Sequence, residues 1–245
     1  MEVLLLRFEA PLMSFGGAAI DDQRVTREFP SVSMVAGLIA NALGYDHGDW
    51  EATQRLQERL RLGARRDRPG ERLVDYQTVD LGQDFLDGTG WTTWGEPETR
   101  GGGSSTGTHI RHRHYLADAA YLVAVRLEPA DEAPSLGEVE RALREPERPI
   151  FLGRKACIPA APLVLGRVDA AGIREALVKA TRLVPGDEAA LAAQWSADEG
   201  EPFDREVYVT DERDWRNQIH VGRRVVREGR LRVEAMQVGV EVDHG

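Results

Sequence analysis

The stretch "AAYLVAVRL" (Ala119–Leu127) decides the fold. It holds one polar residue, Arg126, at its end, and it mixes β-branched, aromatic and aliphatic side chains. Such a run is the clearest apolar strand in the chain. Immediately upstream, "THIRHRHYLAD" (Thr108–Asp118) carries three histidines and two arginines without an acid before Asp118. Further back, some forty residues rich in Gly, Thr and Ser, including "GGGSSTG", separate this run from a second strand-like segment, "RLVDYQTVDL" (Arg72–Leu81). A connection of that length without evident structure marks a functional arm or an insert.

Working outward, Val3–Phe8 reads as a buried first strand ended by Pro11. Gly16, Gly17 and Pro30 make Ser14–Pro30 irregular. Met34, Val35, Leu38, Ile39 and Ala42 recur at helical spacing over Ser33–Leu43, with Ser31 or Ser33 as N-cap and Gly44 past the end. Trp50–Leu60 reads as a second helix stopped by Gly63. Downstream come a helix over Leu136–Leu143, a short strand near Pro149–Leu152, a strand over Pro162–Val168 and a helix over Ile173–Ala180. Pro185–Pro202 reads as an acidic surface loop, and the tail holds two strand-like runs, "RRVVREGRLRV" and "AMQVGVEV".

The elements 3–8, 33–43, 72–79, 119–127, 136–143 and 162–168 give the order βαββαβ. This is an α+β, ferredoxin-like (RRM-like) core with two helices on one sheet face. The expected division is 1–168 for this core, with a thumb insertion at about 81–111, and 169–245 for a smaller β-rich extension packing on it. The open sheet face of such a core is a platform for single-stranded RNA, although the fold alone does not establish that use.

Net charge is −10, which argues against a freestanding basic nucleic-acid binder. The positive charge is nevertheless clustered and almost wholly arginine, with lysine only at Lys155 and Lys179. Arg223, Arg224, Arg227, Arg230 and Arg232 share their window with one acid, Glu228. Arginine's planar fork suits phosphate. Arginine codon bias is the plainer explanation of the preference, but not of the clustering. A single cysteine, Cys157, excludes an intrachain disulfide and points to the cytoplasm. No segment approaches the ~20 apolar residues of a membrane span, so no membrane role is expected.

Four chemistries compete for the His109–Tyr115 cluster. His109-x-x-His112-x-His114 offers three imidazoles, the number of a catalytic zinc site, but the interleaved Arg111 and Arg113 disfavour a dication. No metal and no cofactor is expected. A Walker-type phosphate loop fails, because no lysine follows the glycine run and the run leads into a strand. A metal-independent ribonuclease would use a histidine such as His114 as base or acid, a nearby tyrosine such as Tyr76, and Lys155 as the phosphorane-stabilising cation. The fourth reading, a phosphate grip, takes Arg111, His112 and Arg113 for the RNA backbone and Tyr76 or Trp94 for base stacking. Two further segments join it. "FLGRKAC" (Phe151–Cys157) projects Arg154 and Lys155 from a Gly153 turn. "QRVTREFPSVS" (Gln23–Ser33) places Arg24, Thr26, Arg27, Ser31 and Ser33 at a helix start, whose free amides attract anions. Helix capping alone also explains the serines.

In this order, "LRFEAPLMSFG" (Leu6–Gly16), Arg24-x-Thr26 with Pro30, "GLIANALG" (Gly37–Gly44), "DYQTV" (Asp75–Val79), "RHYLADAAYLVAV" (Arg113–Val125) and "FLGRKAC" resemble the CRISPR-associated RAMP superfamily, specifically its CasD-type subunits of type I-E Cascade complexes. The resemblance covers roughly the first 165 residues. It implies a non-catalytic protein that caps the 5′ handle of the CRISPR RNA in antiviral defence. It also implies contacts with the backbone subunit and with the large subunit, through which target DNA is reached indirectly. In related type I-C systems the corresponding subunit cuts precursor RNA, which keeps the ribonuclease reading as the alternative. One position departs from the family pattern: Val32 stands between Ser31 and Ser33, where members carry Lys or Arg.

Overall fold

The computed structural model describes residues 1–17, 22–80, 90–91, 97–98, 107–186, 190–199 and 204–233. The Ala119–Leu127 run is the C-terminal part of β7 (Thr108–Leu127), and it lies inside the sheet between β1 and β3. On one side it pairs antiparallel with β1 (Glu2–Met13), with Leu4 opposite Val125 and Ala10 opposite Ala119. On the other it pairs with β3 (Leu60–Arg68), with Leu62 opposite Val125. β8 (Val164–Asp169) closes the β1 edge.

Period-two alternation divides these apolar runs between two cores. Leu4, Leu6, Phe8, Tyr121, Val123 and Val125 face α1 (Val32–Ala42), α2 (Trp50–Arg59) and α3 (Leu136–Arg144). Val3, Leu5, Leu122 and Ala124 face α4 (Ile173–Lys179) on the opposite side, around the fully buried Trp195. The sheet is therefore covered on both faces, and the open face expected as an RNA platform is instead packed beneath α4 and Trp195, which is why the runs are apolar without alternation.

The second core strand is not the expected one. β3 follows α2 directly, and its sequence "LRLGARRDR" disguises it. Arg65 and Asp67 are buried, and they pair with each other through two bonds of 2.6 and 2.8 Å. Arg65 also donates to the carbonyls of Leu177, Ala180 and Thr181 and so caps the end of α4. Gly63, read as a helix stop, is inside this strand, where a Cβ would collide with Ile173 of the crossing α4. The expected strand at 72–79 exists as β4 (Glu71–Asp80), but it pairs only with the N-terminal half of β7, from Glu71 opposite Ala117 to Asp80 opposite Thr108. These two strands form a hairpin running off the sheet. Its arms include residues 108–111, placed in the insertion by sequence reasoning.

Beyond β8 the chain continues the same sheet. β9 (Ala190–Ser196) adds to β3, followed by β13 (Arg224–Arg232) and β10 (Arg205–Val209) at the edge. β9 lies within the stretch expected to be a surface loop. Its small Ala residues hid a strand that buries Leu191, Ala193 and Trp195. Residues 149–152 form no strand, and the loop after them closes on itself through Leu152 N to Cys157 O and Cys157 N to Arg154 O. Pro11 does not end β1. It sits opposite Asp118, beyond the residues that pair with β8. A small hairpin, β11 (Glu212–Asp214) and β12 (Ile219–Val221), docks on α1 and α2. There Gln57 both accepts from Arg213 N (3.1 Å) and donates to Arg213 O (3.0 Å). Two-residue strands β2 (Gln23–Arg24), β5 (Gly90–Trp91) and β6 (Pro97–Glu98) complete the set; β2 pairs parallel with β7, and β5 with β6. The tail run "AMQVGVEV" lies outside the described residues.

Candidate functional site

The end of β1, β2, the first half of α1, the 151–154 loop and the β11–β12 hairpin surround a cleft of about 430 Å³. Among the residues expected to bind RNA, Arg24, Ser31, Ser33 and Arg154 line it together. The chain reaches this arrangement through one tight approach. Gly153 has φ +107° and lies against the Ser14 carbonyl, where any Cβ would collide, while Ser14 N donates to Leu152 O at 3.1 Å.

The helix start is not an open anion site. Ser31 is the N-cap of α1 and accepts from Met34 N at 3.2 Å, with the Ser33 hydroxyl 3.4 Å away. Asp211 takes the next two amides: Val32 N donates to its carboxylate at 3.1 Å and Ser33 N to its carbonyl at 3.1 Å. Arg224 holds that buried carboxylate through bonds of 3.0 and 2.6 Å. The first-turn amides are therefore engaged within the protein, a corrected reading of "PSVS".

Arg154 is a tie between strands as well as a cleft residue. Its two terminal nitrogens donate to His114 O (2.8 Å) and Arg24 O (2.6 Å), and its guanidinium lies 4.7 Å over the Tyr115 ring. Thr26 is buried, with its hydroxyl accepting from Phe15 N (2.9 Å) and donating to Arg27 O (3.2 Å). Arg27 donates to Thr210 O at 3.0 Å. Lys155 is exposed on the loop beside Arg154.

Strand register sorts the hairpin residues. Arg111, Arg113 and Tyr115 share one face with Arg24, because Arg24 is the register partner of Arg113. His112, His114, Val74 and Tyr76 share the other. His109 falls on the opposite face from His112 and His114, so the three imidazoles do not converge. Among the described residues no group of three or more His, Cys, Asp or Glu side chains comes together. Tyr76, grouped with His114 by sequence, instead stands opposite His112, with ring centroids 5.4 Å apart. His112 Nδ1 lies 2.9 Å from Asp22 Oδ2, a hydrogen bond that holds the Asp22 carboxyl below its ordinary range. His114 Nε2 lies 3.2 Å from Gln23 Oε1. Trp94 falls outside the described residues.

Four of the five C-terminal arginines are engaged internally rather than aligned as a phosphate comb. Arg224 binds Asp211, Arg227 lies 3.5 Å from Glu206, Arg230 donates to Ala190 O, and Arg223 lies 3.6 Å over the Tyr208 ring. Sequence reasoning missed Ser14, Asn41, Arg213 and His220, all of which line the cleft. The available signal was "DWRN" (Asp214–Asn217). Asn217 bonds the Asp214 carboxylate through its amide at 2.9 Å and its side chain at 2.7 Å, a turn that folds Arg213 back against His220. Burial lowers the pKa of the Arg213 guanidinium from its ordinary value.

A mixed α and β fold built on one large, mostly antiparallel sheet is shared with solved proteins of one family. The chain belongs to the CRISPR-associated Cas5 proteins, whose family model (Cas_Cas5d, "CRISPR-associated protein (Cas_Cas5)") matches residues 3–227. It is 30% identical over 177 residues to the CRISPR system Cascade subunit CasD of Escherichia coli (strain K12), covering 71% of this chain and 75% of that protein. Among solved structures, a chain of a "CRISPR RNA-guided surveillance complex" superposes with TM-score 0.64 at 30% identity, covering 94% of this chain and 90% of the other. A second, described as "Crystal structure of Cas protein", gives TM-score 0.64 at 29% identity, covering 96% and 98%. The family read from the ordered motifs is the family found.

Proposed function

We propose that the protein is a non-catalytic CRISPR RNA-binding subunit of a type I-E Cascade complex, where it caps the 5′ handle. The carrying observation is that Arg24, Ser31, Ser33 and Arg154, drawn from two separated segments, converge on one nucleotide-sized cleft. Arg111 and Arg113 continue the same face along the hairpin. The strands β1, β3, β7 and β8, in the sheet order β3-β7-β1-β8, serve as a ferredoxin-like core with α1 and α3 on one face. The β4–β7 hairpin serves as its thumb. Leu73, Val74, Tyr76, Val79 and Ile110, five of the eleven large exposed apolar residues among those described, lie on this hairpin. Such a concentration supports contact with partner subunits.

The alternative is a metal-independent endoribonuclease, favoured by the Asp22–His112–Tyr76 proximity. Incubating the protein alone with precursor repeat RNA in EDTA separates the two. The account expects intact RNA on a denaturing gel. A discrete product lost on Tyr76→Phe would establish the enzyme.

A further inference from the structure

A second cavity, of about 320 Å³, lies where the last turn of α1, the 45–50 loop and the turn of the β11–β12 hairpin meet. Tyr45, Trp50 and Trp215 line it, and each is partly exposed, so their rings are reachable from solvent. Trp215 is fixed in place. Its indole Nε1 donates to Gln57 Oε1 at 3.0 Å, and its ring lies so close to Gly37 that a Cβ there would come within 3.0 Å.

Three aromatic rings around one cavity present faces that attract a cation. The protein's own guanidiniums display that preference: Arg216 lies 5.5 Å over the Trp50 ring, and Arg213 lies 5.5 Å over that of Trp215. The surrounding charge has the matching sign. Asp46, Asp49 and Glu51 are exposed beside these rings, and Glu147 is exposed against Gly44. Burial, and then the carboxylates of Glu138 and Asp49, push the Tyr45 hydroxyl pKa above its ordinary value. The last turn of α1 adds its carbonyl dipole and carries no basic residue. Arg148 also lines the cavity, but its guanidinium is held by Tyr45 O and Asp46 Oδ1, each at 2.6 Å. Carboxylates around the opening repel the phosphates of RNA and suit a protein that presents a basic side chain.

We propose that this aromatic pocket docks a basic segment of a partner protein, one of whose arginine side chains stacks on Trp50 and Trp215. Arginine fits better than lysine, because its planar guanidinium stacks on ring faces. Arg216, exposed on the hairpin turn, covers the Trp50 ring until the incoming arginine displaces it. The site stands apart from the RNA-binding reading, since none of the residues assigned to RNA above lines it.

The test uses the full chain labelled with fluorotryptophan, and the probe acetyl-Ala-Arg-Ala-amide against its uncharged counterpart acetyl-Ala-citrulline-Ala-amide. Trp50→Phe and Trp215→Phe assign the two fluorine resonances. Both should move saturably with the arginine peptide, at about fivefold lower concentration than with the citrulline peptide. The resonance of Trp195, 1% exposed in the opposite core, should stay in place. Arg216→Ala should tighten the arginine peptide, because it vacates the Trp50 ring. Resonances that ignore the arginine peptide in both wild type and Arg216→Ala, or that answer equally to citrulline, overturn the proposal. So does an affinity that Arg216→Ala leaves unchanged or lowers. Single-stranded repeat RNA alone should leave the Trp50 resonance in place; RNA that moves it would make the pocket part of the RNA path and overturn the assignment to a basic protein.

Discussion

Arg154 carries the tightest coupling between stability and the cleft. It ties β2 to β7 through two carbonyls and packs on Tyr115. Arg154→Ala should lower unfolding free energy by about 3 kcal/mol, given roughly 1.5–3 kcal/mol for a charge-assisted bond. Lysine should not rescue it, since one ammonium cannot copy the fork and the stack; urea unfolding reads both. A second residue-scale expectation concerns acid. Glu138 completes a capping box with Ser135, and those bonds lower its carboxyl pKa from the ordinary value of 4.5. A depressed folded pKa contributes stability that is present above the ordinary value and is lost as pH falls through the folded one. Urea midpoints should therefore decline below about pH 4.5, and Ser135→Ala should flatten that decline. At this scale the sequence was partly legible. "GRK" and "PSVS" do reach the cleft, through Gly153, Arg154, Ser31 and Ser33. Their partners were invisible, because Asp211 lies 179 residues from the amide it caps.

Single strands and helices were legible wherever apolar residues kept their period, as in β1, α1, α3 and β7. β3 was not, because its internal charges are neutralised by each other. That pair makes an element-scale prediction. Asp67→Ala strands a buried guanidinium and should cost roughly 3–5 kcal/mol, whereas replacing both Arg65 and Asp67 with apolar residues of similar size should cost less. Denaturant curves of the single and double variants decide it. The hairpin makes another. Val74 and Val79 are 52% and 49% exposed, so Val74→Ser with Val79→Ser should shift stability by no more than about 0.5 kcal/mol. Recovery of the chain in co-purified complex should fall nonetheless. Full recovery would place these residues outside any interface.

For the whole molecule, a net charge of −10 gives no overall field that attracts RNA. The proposed RNA binding therefore assigns the attraction to local cations, along the face shared by Arg24, Arg111 and Arg113. The mixed α and β character was legible from the apolar runs of β1, α1, α3 and β7, but the covering of the second sheet face by α4 was not. The cleft was not, since its roof and floor come from opposite ends of the chain. The most direct test is binding of 5′-handle RNA across a salt series, by fluorescence anisotropy, for wild type and for Arg111→Ala with Arg113→Ala. Each phosphate contact on a single strand contributes a slope of about −0.7 in log K against log salt. The account predicts weaker binding in the double variant and a slope shallower by roughly one to one and a half. Equal affinity with an unchanged slope would contradict it.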